Sequence, residues 1–181
     1  TRVRAESTGT SPATSRDTTT TPPTTTAGSS PTASTTASEP GQQPIVDAYI
    51  GYWDARFAAN TGTPNPADPA LRRYATGAQL EAVVAETQEN LDTGRAFQAR
   101  PNPANYRRVT VVSVNGDSAV VQECFVDDGL VIDRATGGVL NDTIATHSVR
   151  GELRKVDGEW RVASTSLLQR WEGVSGCALA S

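Results

Sequence analysis

The first 40 residues hold no aromatic side chain and a single large aliphatic one, Val3, so any core must come from the later part of the chain. Thr, Ser and Pro fill 26 of those 40 positions. Ordering such a stretch costs roughly 1–2 kcal/mol per residue in backbone entropy, with almost no apolar burial to offset it. The expectation is a disordered tail, biased toward extended PPII conformations around Pro22-Pro23 and the Thr runs. All ten aromatic residues fall in the remaining 141 positions, enough for one domain and too few for two. The chain therefore divides into a Thr/Ser/Pro-rich tail or stalk (1–43), a folded domain (44–171) and a C-terminal segment (172–181).

Charge and composition exclude several classes. The 16 basic and 20 acidic residues leave a net charge of −4. The tail balances itself, so the whole excess sits on the domain, which argues against a nucleic-acid binder held by phosphate contacts. The pairs Arg72-Arg73 and Arg107-Arg108 read as solvated faces. No apolar run approaches the roughly 18–20 residues of a membrane span. One His and two Cys cannot furnish a conventional zinc site, and neither a metal nor a cofactor is expected.

Location is read from three features. Thr/Ser/Pro tracts act as spacers in exported proteins. The chain starts at Thr1 and contains no Met, which reads as a processed form or fragment whose export signal or anchor stood upstream. Cys124 falls in a β-like run, and Cys177 in the Gly/Ser-rich stretch Glu172–Cys177. Two free thiols would suit a cytosolic protein. A thiol in a Gly/Ser tail has no packing reason to be there, so a Cys124–Cys177 disulfide and an extracellular or cell-envelope location are expected together.

The domain changes period once. Ile45, Ala48, Tyr49, Tyr52, Trp53, Arg56 and Phe57 recur at helical steps after Pro44, up to the breaker cluster 61–66. Asp68 and Pro69 start a short second helix. Thr76 and Gln79 form a capping-box pair for a third, whose stripe is Leu80, Val83, Val84, Thr87 and Leu91, and Gly94 stops it. Alternation then takes over: 106–114, the turn Asn115-Gly116, and 118–126. A weaker pair comes next, 130–133 with 139–140, then a long strand 143–156, the turn Asp157-Gly158 and a last strand 159–169. Helices followed by consecutive antiparallel strands are an α+β layout.

The aromatic first helix with Tyr49-Ile50-Gly51-Tyr52-Trp53, this order of elements, and the closing hairpin Val156-Asp157-Gly158-Glu159-Trp160-Arg161-Val162 resemble the NTF2-like superfamily. The resemblance spans about 44–170 and is nearest to secreted or lipid-anchored actinobacterial members. It implies a cone of three N-terminal helices packed on a curved antiparallel sheet, with a pocket between helix and sheet. It implies no activity, because fold does not carry function. Enzymes of that fold such as ketosteroid isomerase use a helix-1 tyrosine with pocket aspartates. Tyr49 or Tyr52 matches the first role, and the acidic positions have no counterpart.

Four residues are pocket candidates: Tyr49, Trp53, Glu123 and His147. His147, the one histidine, shares the apolar phase of its strand with Ala145, Val149, Gly151 and Leu153, which makes it a general-base candidate or a half-buried strand histidine. Glu123 shares a phase with Ala119, Val121 and Phe125, although the opposite phase is equally apolar. Tyr49, Trp53 and Phe57 are core residues or an aromatic pocket wall. Asp127-Asp128 and Asp133 sit in turn chemistry. No Gly-x-Ser-x-Gly, P-loop or Rossmann glycine series occurs, so no catalytic residue is assigned. The expectation is an exported, non-catalytic module that binds an envelope protein partner or a small apolar ligand. The alternatives are an isomerase, dehydratase or cyclase using the pocket, and a structural subunit of an envelope complex.

Overall fold

Pro44 has no N–H to satisfy in the first turn of α1 (Gln43–Ala59), a position where a helix loses nothing by that. One side of α1 is buried: Ile45, Ala48, Tyr49, Tyr52 and Ala55, at the three- and four-residue steps that the sequence shows. The computed structural model describes residues 41–104 and 106–177, so the tail expected at 1–40 lies outside the described residues. In α2 (Pro69–Tyr74) the Asp68 carboxylate accepts the Ala70 N–H at 2.9 Å, the cap expected there. The capping box expected for α3 (Gly77–Asp92) does not form, and Thr76 makes no side-chain cap bond. Gln79 is drawn inward instead. It donates to Tyr52 Oη at 2.6 Å and accepts the Thr165 N–H at 3.0 Å, tying α1, α3 and the sheet together.

The strands form two antiparallel sheets. β2 (Arg107–Asn115), β3 (Ser118–Asp127), β6 (Ala145–Val156) and β7 (Glu159–Glu172) lie in the order β2-β3-β6-β7. The smaller sheet has the order β1-β4-β5, from β1 (Arg95–Gln98), β4 (Leu130–Asp133) and β5 (Val139–Asn141). Alternation gives no sign of β1, since four residues carry too little pattern; its pairing with β4 is a long-range event. The last strand also overruns its expected end at 169 and runs to Glu172. Register shifts at Val111/Ser113, Ser148/Val149 and Glu152/Leu153 bend the large sheet around the helices.

The core lies between α1 and the concave face of the large sheet. Ile45, Tyr49, Tyr52, Leu71, Val83, Val121, Leu153 and Val162 are among its members. Gly151 lets the Tyr49 ring lie directly on β6; a Cβ there would overlap that ring and crowd Val121 Cγ2 at 2.9 Å. Gly151→Ala should therefore cost about 2–3 kcal/mol through overpacking, read as a lower urea midpoint at unchanged m-value. A change under about 0.5 kcal/mol would mean that α1 can lift off the sheet freely. Beside this core runs a polar thread in which Asn90 Nδ2 donates to Asn60 Oδ1 at 2.8 Å and Asn60 Nδ2 to Thr87 Oγ1 at 3.0 Å. That thread explains why Asn90 is buried where the stripe was expected to end at Leu91.

Candidate functional site

Successive side chains of a strand point to opposite faces, and β3 uses this at its centre. Glu123 points under α1 and is 0 % exposed. Its neighbour Cys124 points to the other face, where it is bonded to Cys177 across a Cα–Cα distance of 6.1 Å. The disulfide expected from the sequence is thus present, and both cysteines are consumed.

Under the helix, Tyr49 Oη donates to Glu123 Oε2 at 3.0 Å. Arg107 Nε comes to 2.7 Å from Glu123 Oε1. Burial pushes the Glu123 carboxyl up to about 7; Arg107, then the Tyr49 hydrogen bond and the nearby Trp53 N–H, pull it back without prevailing. Burial, then the nearby Glu123 charge, raise the Tyr49 phenol above its ordinary value. The Trp53 Nε1 atom is buried beside this pair without a well-aligned hydrogen bond. The arrangement is a buried carboxyl whose pKa is raised toward neutrality, with a phenol on one oxygen and a guanidinium against the other.

Arg107 closes this chamber. Its guanidinium lies 5.9 Å from the Trp53 ring centre and 5.4 Å from that of Phe125. On its outer side opens a cleft of about 580 Å³, lined by Trp53, Phe57, Tyr106 and Phe125 with Asp54, Asp127 and Arg100 at its rim. Arg107 belongs to both spaces, whereas Glu123 does not reach the cleft. Of the pair Arg107-Arg108, read as a solvated face, Arg107 remains exposed but also reaches Glu123. Consecutive residues of β2 face opposite sides, so the Arg107 guanidinium lies against Glu123 while Arg108, half-buried, lies on the other face. The strand assignment over 106–114 already contained that signal.

Three of the four pocket candidates meet: Tyr49, Trp53 and Glu123. His147 shares their face but stands behind Phe125, against which its ring packs edge-on at 5.0 Å. Its Nε2 is buried without a hydrogen-bond partner among the described residues, and burial lowers its pKa, with Asp127 opposing. No hydrogen bond or ion pair joins His147 to Glu123 among the described residues, so the acid–base pair those two would form is not assembled. Asp127 and Asp133 hold turn amides, Gly129 N at 3.3 Å and Thr136 N at 2.8 Å, as their surroundings suggested. Asp128 is also drawn in: it is 7 % exposed and accepts the Ala104 N–H. Among the described residues no helix is long and apolar enough to cross a membrane.

No protein-family model and no curated protein matches the chain. Solved structures do. The intermembrane-space region of the chloroplast protein ARC6 superposes with a TM-score of 0.54 at 14 % identity, over 70 % of this chain and 95 % of that one. The Kfla4162 protein from Kribbella flavida superposes at 0.50 and 13 %, over 72 % and 92 %. A ketosteroid isomerase-like protein from Erwinia carotovora atroseptica is matched more loosely, at 0.42 and 20 %, over 72 % and 98 %. What this chain shares with the first two is a fold, helices packed on a curved antiparallel sheet.

Proposed function

We propose that this is an NTF2-like domain working as a non-catalytic binding module of the cell envelope, carried by the Thr/Ser/Pro-rich segment 1–43. One observation carries the reading: the carboxyl–phenol pair inside the cone is sealed. Glu123 is fully buried beneath Arg107, Trp53 and Phe125, so a substrate has no path to it. What stays open is the cleft outside Arg107, whose aromatic floor and charged rim suit a small ligand or a side chain of a protein partner. The disulfide supports an oxidising compartment, and the intermembrane-space location of the ARC6 region agrees with an envelope setting.

The enzymatic alternative is favoured by one observation, the 3.0 Å contact between Tyr49 and a carboxyl titrating near neutrality. It requires Arg107 to swing out. Following the Glu123 carboxyl by NMR while cyclohexenone is added separates the two readings. The module reading expects an unmoved titration and no turnover of this or any small epoxide or hydroxy compound. Turnover with a bell-shaped pH profile, abolished by Glu123→Gln, would hand the domain to the isomerase, dehydratase or cyclase class.

A further inference from the structure

A second concavity lies outside the cone, on the face of the sheet that the helices leave bare. It holds about 520 Å³ and is lined by Trp171, Arg108, Thr110, Gln122, Ser148 and Gln169, with the disulfide in its floor. The C-terminal strap Gly173–Cys177 builds one end. Thr146 Oγ1 donates to Gly173 O at 2.8 Å and receives the Gly176 N–H at 3.3 Å. Gly176 lies so close on Trp171 and Thr146 that a Cβ would overlap both. The indole is thereby fixed on its strap side while it also lines the groove.

From this construction the geometry points to a glycan-binding site, for a short oligosaccharide of pyranose rings. The floor is the middle of a four-stranded sheet whose main-chain groups are paired along β2-β3-β6-β7. At its centre β3 and β6 are paired on both sides, so recognition there must come from side chains, and only the outer edges of β2 and β7 keep free main-chain groups. Those present are amides, hydroxyls, one guanidinium and the exposed Val112 around an indole. The Glu123 side chain is turned to the other face and fully buried. Planar amides and hydroxyls match the paired hydroxyls of a sugar, and an indole matches the apolar C–H face of its ring. Arg108 makes no ion pair among the described residues and would select for a sugar with a carboxylate or acetamido group. Gln122 already donates to Ser148 Oγ at 3.3 Å, a weak bond that a ligand hydroxyl can take over.

The site is separate from the Arg107 cleft and stands or falls independently of it. The test titrates the whole oxidised chain with N-acetylglucosamine tetramer, cellotetraose and maltotetraose, following by NMR the Ser148 and Gly176 amides and the Trp171 indole N–H, the last assigned with Trp171→Phe; the amides alone read the Trp171→Ala chain. At least one sugar should saturate below about 10 mM, with Trp171→Ala or Gln122→Ala weakening it about tenfold while Arg72→Ala, exposed on α2, does not. Gln122 and Gln169 are exposed, so Gln122→Ala and Gln169→Ala keep the test alive should Trp171→Ala unfold. Three sugars without a saturable shift would overturn the proposal. So would shifts insensitive to both glutamine variants, or saturation by a proline-rich peptide in their place.

Discussion

Reducing the Cys124–Cys177 bridge is expected to lower the unfolding free energy by about 4 kcal/mol. The bridge closes a separation of 53 residues, and on the chain-entropy account that is its effect on the unfolded ensemble. The native state changes less. Cys124 stays covered in β3, and the strap keeps the Gly173 N–H bond to Ile144 O at 2.9 Å and its two contacts with Thr146. Reduction should therefore speed amide exchange first at Gly173 and Gly176, before the sheet. The Cys124→Ser/Cys177→Ser chain should melt more than about 10 °C below the oxidised wild type. Equal melting temperatures would show that the strap is held by its hydrogen bonds alone.

Glu123 carries the other large effect, and its sign is unusual for an ion-paired carboxylate. Its pKa rises from 4.5 to about 7 on folding, so the folded chain keeps a proton that the unfolded chain gives up. Its contribution is fully present below pH 4.5 and disappears as pH rises to about 7, a total of about 3 kcal/mol. His147 acts the opposite way: its lowered pKa favours the fold as pH rises through the ordinary histidine range. Glu123→Gln separates the two. It should match the wild type at about pH 5 and exceed it by up to about 3 kcal/mol at about pH 8, since an amide mimics the protonated acid beside Arg107. Glu123→Ala should lose about 2–4 kcal/mol at about pH 5, because it orphans Tyr49 Oη and leaves a cavity. Urea melts at the two pH values decide the matter. A Glu123→Gln chain several kcal/mol weaker at the higher pH would mean that the ionised pair with Arg107 holds the fold together.

Local chemistry was readable from the residues, and partners distant in sequence were not. Asp68 with Pro69, the Asp157-Gly158 turn and the step from helical to alternating period each depend on a few neighbouring residues, and each appears in the fold. The disulfide was readable because Cys177 had no local reason to exist. Thr76 and Gln79 fit a local rule, yet Gln79 found better partners in Tyr52 and Thr165, 27 and 86 residues away. The Asn115-Gly116 signal lands one residue off, with Gly116 and Asp117 forming the turn between Asn115 and its partner Ser118. At the site, alternation placed Glu123 and Phe125 together and left their face open. Which face won depended on Tyr49 and Arg107, and a pairing 74 residues long leaves no trace in periodicity.

The bridge also changes how the domain bears mechanical load. β7 is the edge strand of the large sheet, and tension on its C-terminal end would peel it from β6 one hydrogen bond at a time. Through Cys177 the same tension enters at Cys124, in a strand flanked by β2 on one side and β6 on the other. Two ladders must then shear together, so the oxidised domain resists a pull at this end as a plate, and the reduced one yields as a zipper.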